Sequence, residues 1–349
     1  MTLSSSPSFA VVGATGAVGR EMLDVLRAQG VAAETIRAFA SPRSAGQRLP
    51  YGDDELPVEA FGADSLEGID IALFSAGSSL SKQYAHAAAA RGTIIIDNSS
   101  AFRMDADVPL IVPEINGDEL AGGAPSRIIA VPNCSTIITL MAVTPIHRLL
   151  GVTRLVVSTY QAVSGAGAAA MEELRRQARE VLDGNEPTCR VFDQPCAFNV
   201  FSHNTAIIED GSNVEETKMV RESHKIWRDP SVRISATCIR VPVFRAHCAS
   251  INLTLREPVD DLDAVRRAIE AFPGVVLVDD RSANRFPTPL EASGRDEVLV
   301  GRLRLDPSQT DDQGRCRGLS LFAAGDQLRK GAALNAVQIA NVLMSHAAV

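Results

Sequence analysis

The chain has no excess of basic residues: Lys and Arg number 34 against 42 Asp and Glu, a formal net charge of −8. That balance cannot neutralise a phosphate backbone and argues against nucleic acid as a partner, though it permits local cationic pockets for small anions. The six cysteines, at 134, 189, 196, 238, 248 and 316, include no Cys-x-x-Cys pair and no Cys/His spacing of a zinc site, so no metal is expected. The opening Met1-Thr-Leu-Ser-Ser-Ser-Pro-Ser lacks the basic residues and long apolar core of a secretory signal. No run approaches the length needed to cross a bilayer, and there is neither an internal repeat nor a low-complexity tract. These absences lead us to expect a reduced, cytoplasmic protein with no membrane partner. An even cysteine count is no argument for disulfides in that compartment.

What is present is ordinary globular composition, 46% hydrophobic and 22% charged, in 349 residues, enough for two domains with their own cores. Over the first 130 or so residues, apolar strands alternate with amphipathic helices, the pattern of a parallel sheet covered on both faces. Strands are expected at Phe9–Val12, Ile36–Ala40, Ile69–Ser75, Thr93–Asp97 and Ile128–Val131, with helices at Ala17–Gln29 and Ser79–Arg91. Beyond residue 150 the strands lengthen and alternate, at Val152–Tyr160, Ile234–Val241, Ile251–Arg256 and Val298–Leu305, which suggests an antiparallel or mixed sheet. Helices near 167–182, 214–228 and 260–271 interrupt them. Residues 184–213 show no clear period, and a loop that long is usually functional or part of an interface. The final segment, Gln327–His346, places Leu328, Ala332, Ala336, Ile339 and Leu343 on one helical face, fit to pack back on the first domain. The fold class is therefore α/β in the first part and α+β in the second.

Strand Phe9–Val12 runs into Gly13-Ala14-Thr15-Gly16-Ala17-Val18-Gly19 and then a helix. Glycines there allow a tight turn and the close approach of a pyrophosphate to the helix N-terminus, or else mark a tight turn with no ligand. After the second strand comes Ala40-Ser41-Pro42-Arg43-Ser44-Ala45-Gly46, with no carboxylate for ribose hydroxyls. An Arg between hydroxyl side chains suits a 2′-phosphate, so NADP is favoured over NAD; the lesser reading of Arg43 is a solvated loop charge.

Pro132-Asn133-Cys134-Ser135-Thr136 lies between the strand at Ile128–Val131 and an apolar helix over 135–150 in which Pro145 is a potential kink. A cysteine at a helix start meets unpaired N–H groups and the positive end of the dipole, which favour a nucleophilic thiolate. The other reading is a small apolar side chain packed in the core. Of the six histidines, His247 is the candidate acid/base; His86, His147 and His346 read as structural, while His203 and His224 are harder to dismiss. Arg240 and His247 are seven apart, on opposite faces of an ideal strand, so both reach one pocket only if the chain leaves the strand between Pro242 and Ala246.

Further blocks accompany these: Asn98-Ser99-Ser100-Ala101-Phe102-Arg103, Val112-Pro113-Glu114-Ile115-Asn116, Thr159-Tyr160-Gln161-Ala162-Val163-Ser164-Gly165-Ala166-Gly167, Glu215-Glu216-Thr217-Lys218-Met219, Arg240-Val241-Pro242-Val243-Phe244-Arg245-Ala246-His247 and Gln327-Leu328-Arg329-Lys330-Gly331-Ala332-Ala333. In order, and over nearly the whole chain, the set resembles the aspartate-β-semialdehyde dehydrogenases. The Cys, Gln and Arg…His blocks are specific to that family; the glycine turn is shared by many.

The resemblance implies a Rossmann-type NADP-binding domain over residues 1–132, completed by a C-terminal helix at 327–349, and a catalytic and dimerisation domain with a mixed sheet over 133–326. It implies NADPH-dependent reduction of L-aspartyl 4-phosphate to L-aspartate 4-semialdehyde with release of phosphate, a step toward lysine, threonine and methionine. Cys134 would carry a thioester, with His247 as acid/base and Gln161 orienting the acyl group. Arg240 would hold the α-carboxylate, Glu215 the ammonium, Arg103 and Lys218 the phosphate, and Asn133 would also meet the substrate. Gly13, Thr15, Gly16, Ala17, Val18, Arg43 and Ser44 would bind the dinucleotide, with Ser164, Gly165 and Gln327 toward the nicotinamide. A homodimer or dimer-based tetramer is implied, with the second domain's sheet at the interface. N-acetyl-γ-glutamyl-phosphate reductase is the nearest rival; its substrate has no free ammonium and so no need for Glu215.

Overall fold

The structure is a computed structural model and describes residues 7–122 and 125–347. Most of the N-terminal segment read above for a signal therefore lies outside the described residues. The chain divides into two compact units, residues 1–133 with 332–349, and residues 134–331.

Unit 1 contains β1 (Phe9–Val12), α1 (Ala17–Ala28), β2 (Ile36–Ala40), β3 (Arg48–Tyr51), β4 (Asp54–Ala60), β5 (Ile71–Phe74), α2 (Ser78–Ala90), β6 (Ile94–Asp97), α3 (Pro113–Asn116) and β7 (Ile128–Ala130). Every residue of β1, β5, β6 and β7 is buried, as continuous apolar runs in a parallel sheet must be. The sheet order is β3-β4-β2-β1-β5-β6-β7, with β1 parallel to both β2 and β5. Strand order thus reverses around β1, and the glycine turn leaves its carboxyl end at the switch point, where open α/β sheets bind ligands. The β3–β4 hairpin was not expected. It turns at Gly52 (φ 66°), and its charged, proline-containing strands disguise an alternating burial.

Unit 2 contains α4 (Cys134–Leu150), β8 (Val152–Gln161), α5 (Ala168–Leu182), β9 (Phe201–Ser202), α6 (Val214–Trp227), β10 (Arg233–Arg240), β11 (His247–Leu255), α7 (Leu262–Glu270), β12 (Val275–Leu277), α8 (Pro289–Ala292), β13 (Val298–Leu305) and β14 (Gly318–Gly325). Its sheet runs β12-β13-β14-β11-β8-β10-β9 and is mixed: β8 is parallel to β10 and antiparallel to β11. Pro145 does not shorten α4, which continues to Leu150. That helix crosses β8, β11, β14 and β13, and packs so closely on β14 that a Cβ at Gly325 would lie 2.9 Å from Ile138. The opposite face of the sheet, with Val156, Ser158, Tyr160, Ser250 and Phe322, is half-buried or exposed in the single chain. Strands β9, β12 and β14 were not expected, and β11 begins at His247 rather than Ile251.

A last helix, α9 (Leu334–Ala347), follows a π-helical turn at Arg329–Ala333 and belongs to unit 1. The return to that unit begins at Ala332 rather than Gln327, since the π-turn separates Gln327 from the regular helix. Among the described residues no helix is long and apolar enough to cross a membrane.

Candidate active site

In unit 1 the turn after β1 needs its glycines. Gly13 has φ 88°, and a Cβ there would lie 2.9 Å from the Ser75 carbonyl oxygen; one at Gly19 would lie 2.2 Å from that of Gly13. The N–H groups of Gly13 and Ala14 both donate to Phe39 O, which pins the turn to β2. Gly16 caps α1 with no side-chain hydrogen bond, and the first turn holds no acidic residue. Gly16 is exposed and Thr15, Ala17 and Val18 are half-buried, so the helix begins at an accessible turn with its first N–H groups unpaired within the helix. These features fit a dinucleotide pyrophosphate. Beyond β2, Arg43 is exposed and Ser44 half-buried in a turn closed by Ser44 N–H donating to Ser41 O. Arg103 is buried and donates to Asn98 O at 2.9 Å, and Asn133, at the end of this unit, is buried too.

In unit 2, Cys134 is the first residue of α4 and half-buried. A Cβ at Gly331 would lie 2.9 Å from its own, so glycine at that position makes room for the cysteine. Burial pushes the Cys238 and Cys248 thiols up to about 12 and that of Cys196 to about 11, which makes them poor nucleophiles at neutral pH.

Arg240 closes β10 and His247 opens β11. Between them the chain leaves the sheet, with Ala246 at φ 71°, and both side chains turn inward to 2% and 1% exposure. The departure that their spacing required is thus present. Arg240 Nη1 donates to Ala162 O at 2.7 Å, and Nη2 donates to His203 Nε2 at 2.8 Å and to Asn204 Oδ1 at 3.2 Å. Its guanidinium lies over Phe192, and Nε has no partner. None of these contacts is a carboxylate, so a buried cation stands without an ion-pair partner among the described residues. Burial lowers its pKa, and the carboxylate of Glu215 opposes that shift.

His247 accepts the Ala162 N–H at Nδ1, 3.0 Å away, and its Nε2 is buried without a partner. Burial, reinforced by Arg240, pushes its pKa down to about 3. The ring is neutral at working pH, and because Nδ1 accepts, the proton sits on Nε2. Gly165 lies alongside: a Cβ there would be 3.3 Å from His247 Nε2 and 3.4 Å from Arg240 Nη1.

Gln161, at the end of β8, accepts from Thr159 Oγ1 at 3.0 Å and donates one amide N–H to Glu215 Oε1 at 3.2 Å, leaving its second N–H available. The other Glu215 oxygen accepts from Lys218 Nζ at 3.2 Å. Glu215 and Lys218 sit in the first turns of α6, which begins with a capping box between Asn213 and Glu216. Gln327 binds Ser164 Oγ through its Nε2 and accepts the Ala246 N–H at 2.8 Å, so its amide ties the turn after β8 to the start of β11.

Unit 2 therefore brings Arg240, His247, Gly165, Gln161, Glu215, Lys218, Ser164 and Gln327 into one connected set. Sequence reasoning did not foresee Ala162, whose backbone serves both Arg240 and His247, nor the contact of His203 with Arg240. Three other histidines are engaged elsewhere: His147 stacks on Trp227, His86 packs edge-on to Phe102, and His224 meets Val232 O; His346 is exposed.

Comparison with known proteins shows the family. Residues 8–123 match the semialdehyde dehydrogenase NAD-binding domain, and residues 143–330 the semialdehyde dehydrogenase dimerisation domain. Aspartate-semialdehyde dehydrogenase of Synechocystis is 46% identical over 96% of both chains, and that of Aquifex aeolicus 45% identical over 96% of this chain and 97% of its own. The crystal structure of aspartate semialdehyde dehydrogenase II of Vibrio cholerae, complexed with ASA, superposes with a TM-score of 0.92 at 40% identity, covering 98% of this chain and 99% of that one. The chain belongs to the aspartate-semialdehyde dehydrogenase family of oxidoreductases.

Proposed function

We propose that the protein catalyses the NADPH-dependent reduction of L-aspartyl 4-phosphate to L-aspartate 4-semialdehyde and phosphate, in the biosynthesis of lysine, threonine and methionine. The observation that carries this reading is Arg240, a buried guanidinium with only neutral partners. Burying a cation this way is costly unless an anion completes the site, and the α-carboxylate of the substrate supplies one. Glu215, in the first turn of α6, would meet the substrate ammonium.

In the reaction proposed, the Cys134 thiolate attacks the acyl carbon, the C–O bond to phosphate breaks, and phosphate leaves toward Lys218 and Arg103. The nicotinamide cofactor, when bound, supplies a hydride to the resulting thioester. His247 directs its Nε2–H at the carbonyl oxygen as negative charge grows there, and the free N–H of Gln161 adds a second donor. Collapse of the tetrahedral species breaks the C–S bond, returning the thiolate and the aldehyde. Asn133 orients the substrate beside the nucleophile. Gly13, Thr15, Gly16, Ala17 and Val18 receive the pyrophosphate, Arg43 and Ser44 the 2′-phosphate, and Ser164, Gly165 and Gln327 shape the nicotinamide end. Unit 1 is the dinucleotide-binding domain, and unit 2 carries the chemistry and dimerises through the face of its sheet not covered by α4. The site of action is the cytoplasm.

The test is reduction of NADP in the reverse direction. It should require both phosphate and aspartate semialdehyde, and should fail with N-acetylglutamate semialdehyde. Activity on the N-acetylated aldehyde, or turnover without phosphate, removes the reading.

A further inference from the structure

We infer that His203 is a positioning residue for Arg240: it orients the guanidinium through a neutral acceptor and so leaves the positive charge uncompensated for the substrate carboxylate. The inference rests on the role given to Arg240 under the proposed function.

The hydrogen-bond directions are forced. A guanidinium has no acceptor, so across the 2.8 Å contact between Arg240 Nη2 and His203 Nε2 the imidazole must accept. A neutral ring that accepts at Nε2 carries its proton on Nδ1, which donates to Thr205 Oγ1 at 3.3 Å. The same hydroxyl oxygen accepts the backbone N–H of Glu215 at 3.2 Å. His203 and Thr205 therefore form a bridge from the end of β10 to the first turn of α6. One end of that bridge holds the cation proposed for the substrate carboxylate, and the other holds the backbone of Glu215, the residue whose carboxylate is proposed for its ammonium. Register places the histidine there: β9 pairs Phe201 with Arg240 and Ser202 with Ile239, and His203 N–H donates to Cys238 O at 2.8 Å.

The choice of side chain matters. A carboxylate at position 203 would hold Arg240 at least as firmly, but would neutralise it and compete with the incoming substrate. An aliphatic residue would leave the charge free but the guanidinium loose. Imidazole held neutral does both jobs, and the other two acceptors, Asn204 Oδ1 and Ala162 O, are neutral as well. Burial of His203 and the neighbouring Arg240 and Lys218 charges oppose its protonation, while Glu215 favours it.

The test compares His203→Gln, His203→Leu and His203→Glu in the holoenzyme, measured in the aspartate semialdehyde, phosphate and NADP assay. His203→Leu should raise KM for aspartate semialdehyde about tenfold or more, the effect of losing one hydrogen bond to a charged group, with little change in kcat. His203→Gln, which offers an oxygen to Arg240 and an N–H to Thr205, should stay within about threefold of wild type. His203→Glu should raise KM at least as much as His203→Leu although it keeps the hydrogen bond. KM for phosphate and for NADP should not move, and Thr205→Val should share the direction of His203→Leu with a nearly isosteric change. In an Arg240→Lys background, His203→Leu should add nothing. If Arg240→Lys raises KM while His203→Leu and His203→Glu do not, or if the Gln and Glu variants behave alike, the inference is overturned alone. Wild-type KM in Arg240→Lys overturns the carboxylate assignment, and the inference with it.

Discussion

Arg240 and His247, seven residues apart on consecutive strands, are held by the two peptide groups of one residue: Ala162 O accepts from Arg240 Nη1 at 2.7 Å and Ala162 N–H donates to His247 Nδ1 at 3.0 Å. Both groups therefore shift with the turn after β8, and Gly165 in that turn lies against both. Its φ is not in the left-handed region, so Gly165→Ala is conformationally allowed and acts by contact alone. The added methyl group, 3.3 Å from the ring and 3.4 Å from the guanidinium, should displace both by a few tenths of an ångström. We expect kcat/KM to fall by about tenfold to a hundredfold, with unfolding stability changed by less than about 1 kcal/mol. Steady-state kinetics and a urea titration on the same preparation check this; unchanged kinetics would show that the turn tolerates the displacement.

Cys134 differs from Cys196, Cys238 and Cys248 in position: it is half-buried at the first residue of a long helix, where theirs are buried and their thiols pushed up. Replacing its sulfur with the far less acidic hydroxyl of Cys134→Ser should cost at least about a thousandfold in kcat. Mass spectrometry of wild-type protein quenched with aspartyl phosphate in the absence of NADPH should find the acyl group on Cys134 and nowhere else. A modified peptide containing another cysteine would reassign the nucleophile.

The parts of this molecule that were legible in the sequence are those governed by local pattern. Strand β1 and helix α1 were readable because a buried parallel strand is apolar throughout and the glycine turn marks the join. The hairpin β3–β4 was not, because Pro50 and Pro57 lie in its strands and its outward residues are charged, leaving only Leu49, Tyr51, Leu56 and Val58 to face the core. Cys134, Arg240 and His247 could be picked out by residue type and family resemblance. Ala162 could not, since its contribution is made by backbone atoms and any residue has those. His203 was visible as a residue but not as a contact, because its meeting with Arg240 depends on the two-residue pairing of β9 with β10, too short to leave a periodicity.

Arg43 offers a direct test of cofactor preference. It is exposed in a turn after β2, and no carboxylate occurs between Ser41 and Arg48, where NAD-binding proteins place one for the ribose. If its guanidinium meets the 2′-phosphate, Arg43→Ala should lower the ratio of kcat/KM for NADP to that for NAD by about tenfold or more, chiefly through KM for NADP. Both cofactors must be assayed at the same ionic strength, because exposed charges are screened. An unchanged ratio means that Arg43 is a solvated loop charge and that the phosphate is held elsewhere.

The two histidines around Arg240 also predict how stability responds to pH. Burial drives both below their ordinary value of 6.5, His247 to about 3 and His203 to about 4, so the native protein keeps them neutral where the unfolded chain binds protons. Between the folded and unfolded values the unfolded state holds more protons, so stability rises with pH and, read the other way, is lost as pH falls below about 6.5. Above about pH 7 neither histidine contributes any pH dependence. The limiting slope is about 1.4 kcal/mol per pH unit for each residue, a bound that exposed carboxylates titrating at lower pH do not share in this window. Urea midpoints measured from about pH 7.5 down to about pH 5 should therefore decline, and more shallowly in His203→Gln, which has no proton to bind in either state. An identical slope in the variant would mean that His203 binds protons equally in the folded and unfolded states, and is not held neutral by its place beside Arg240.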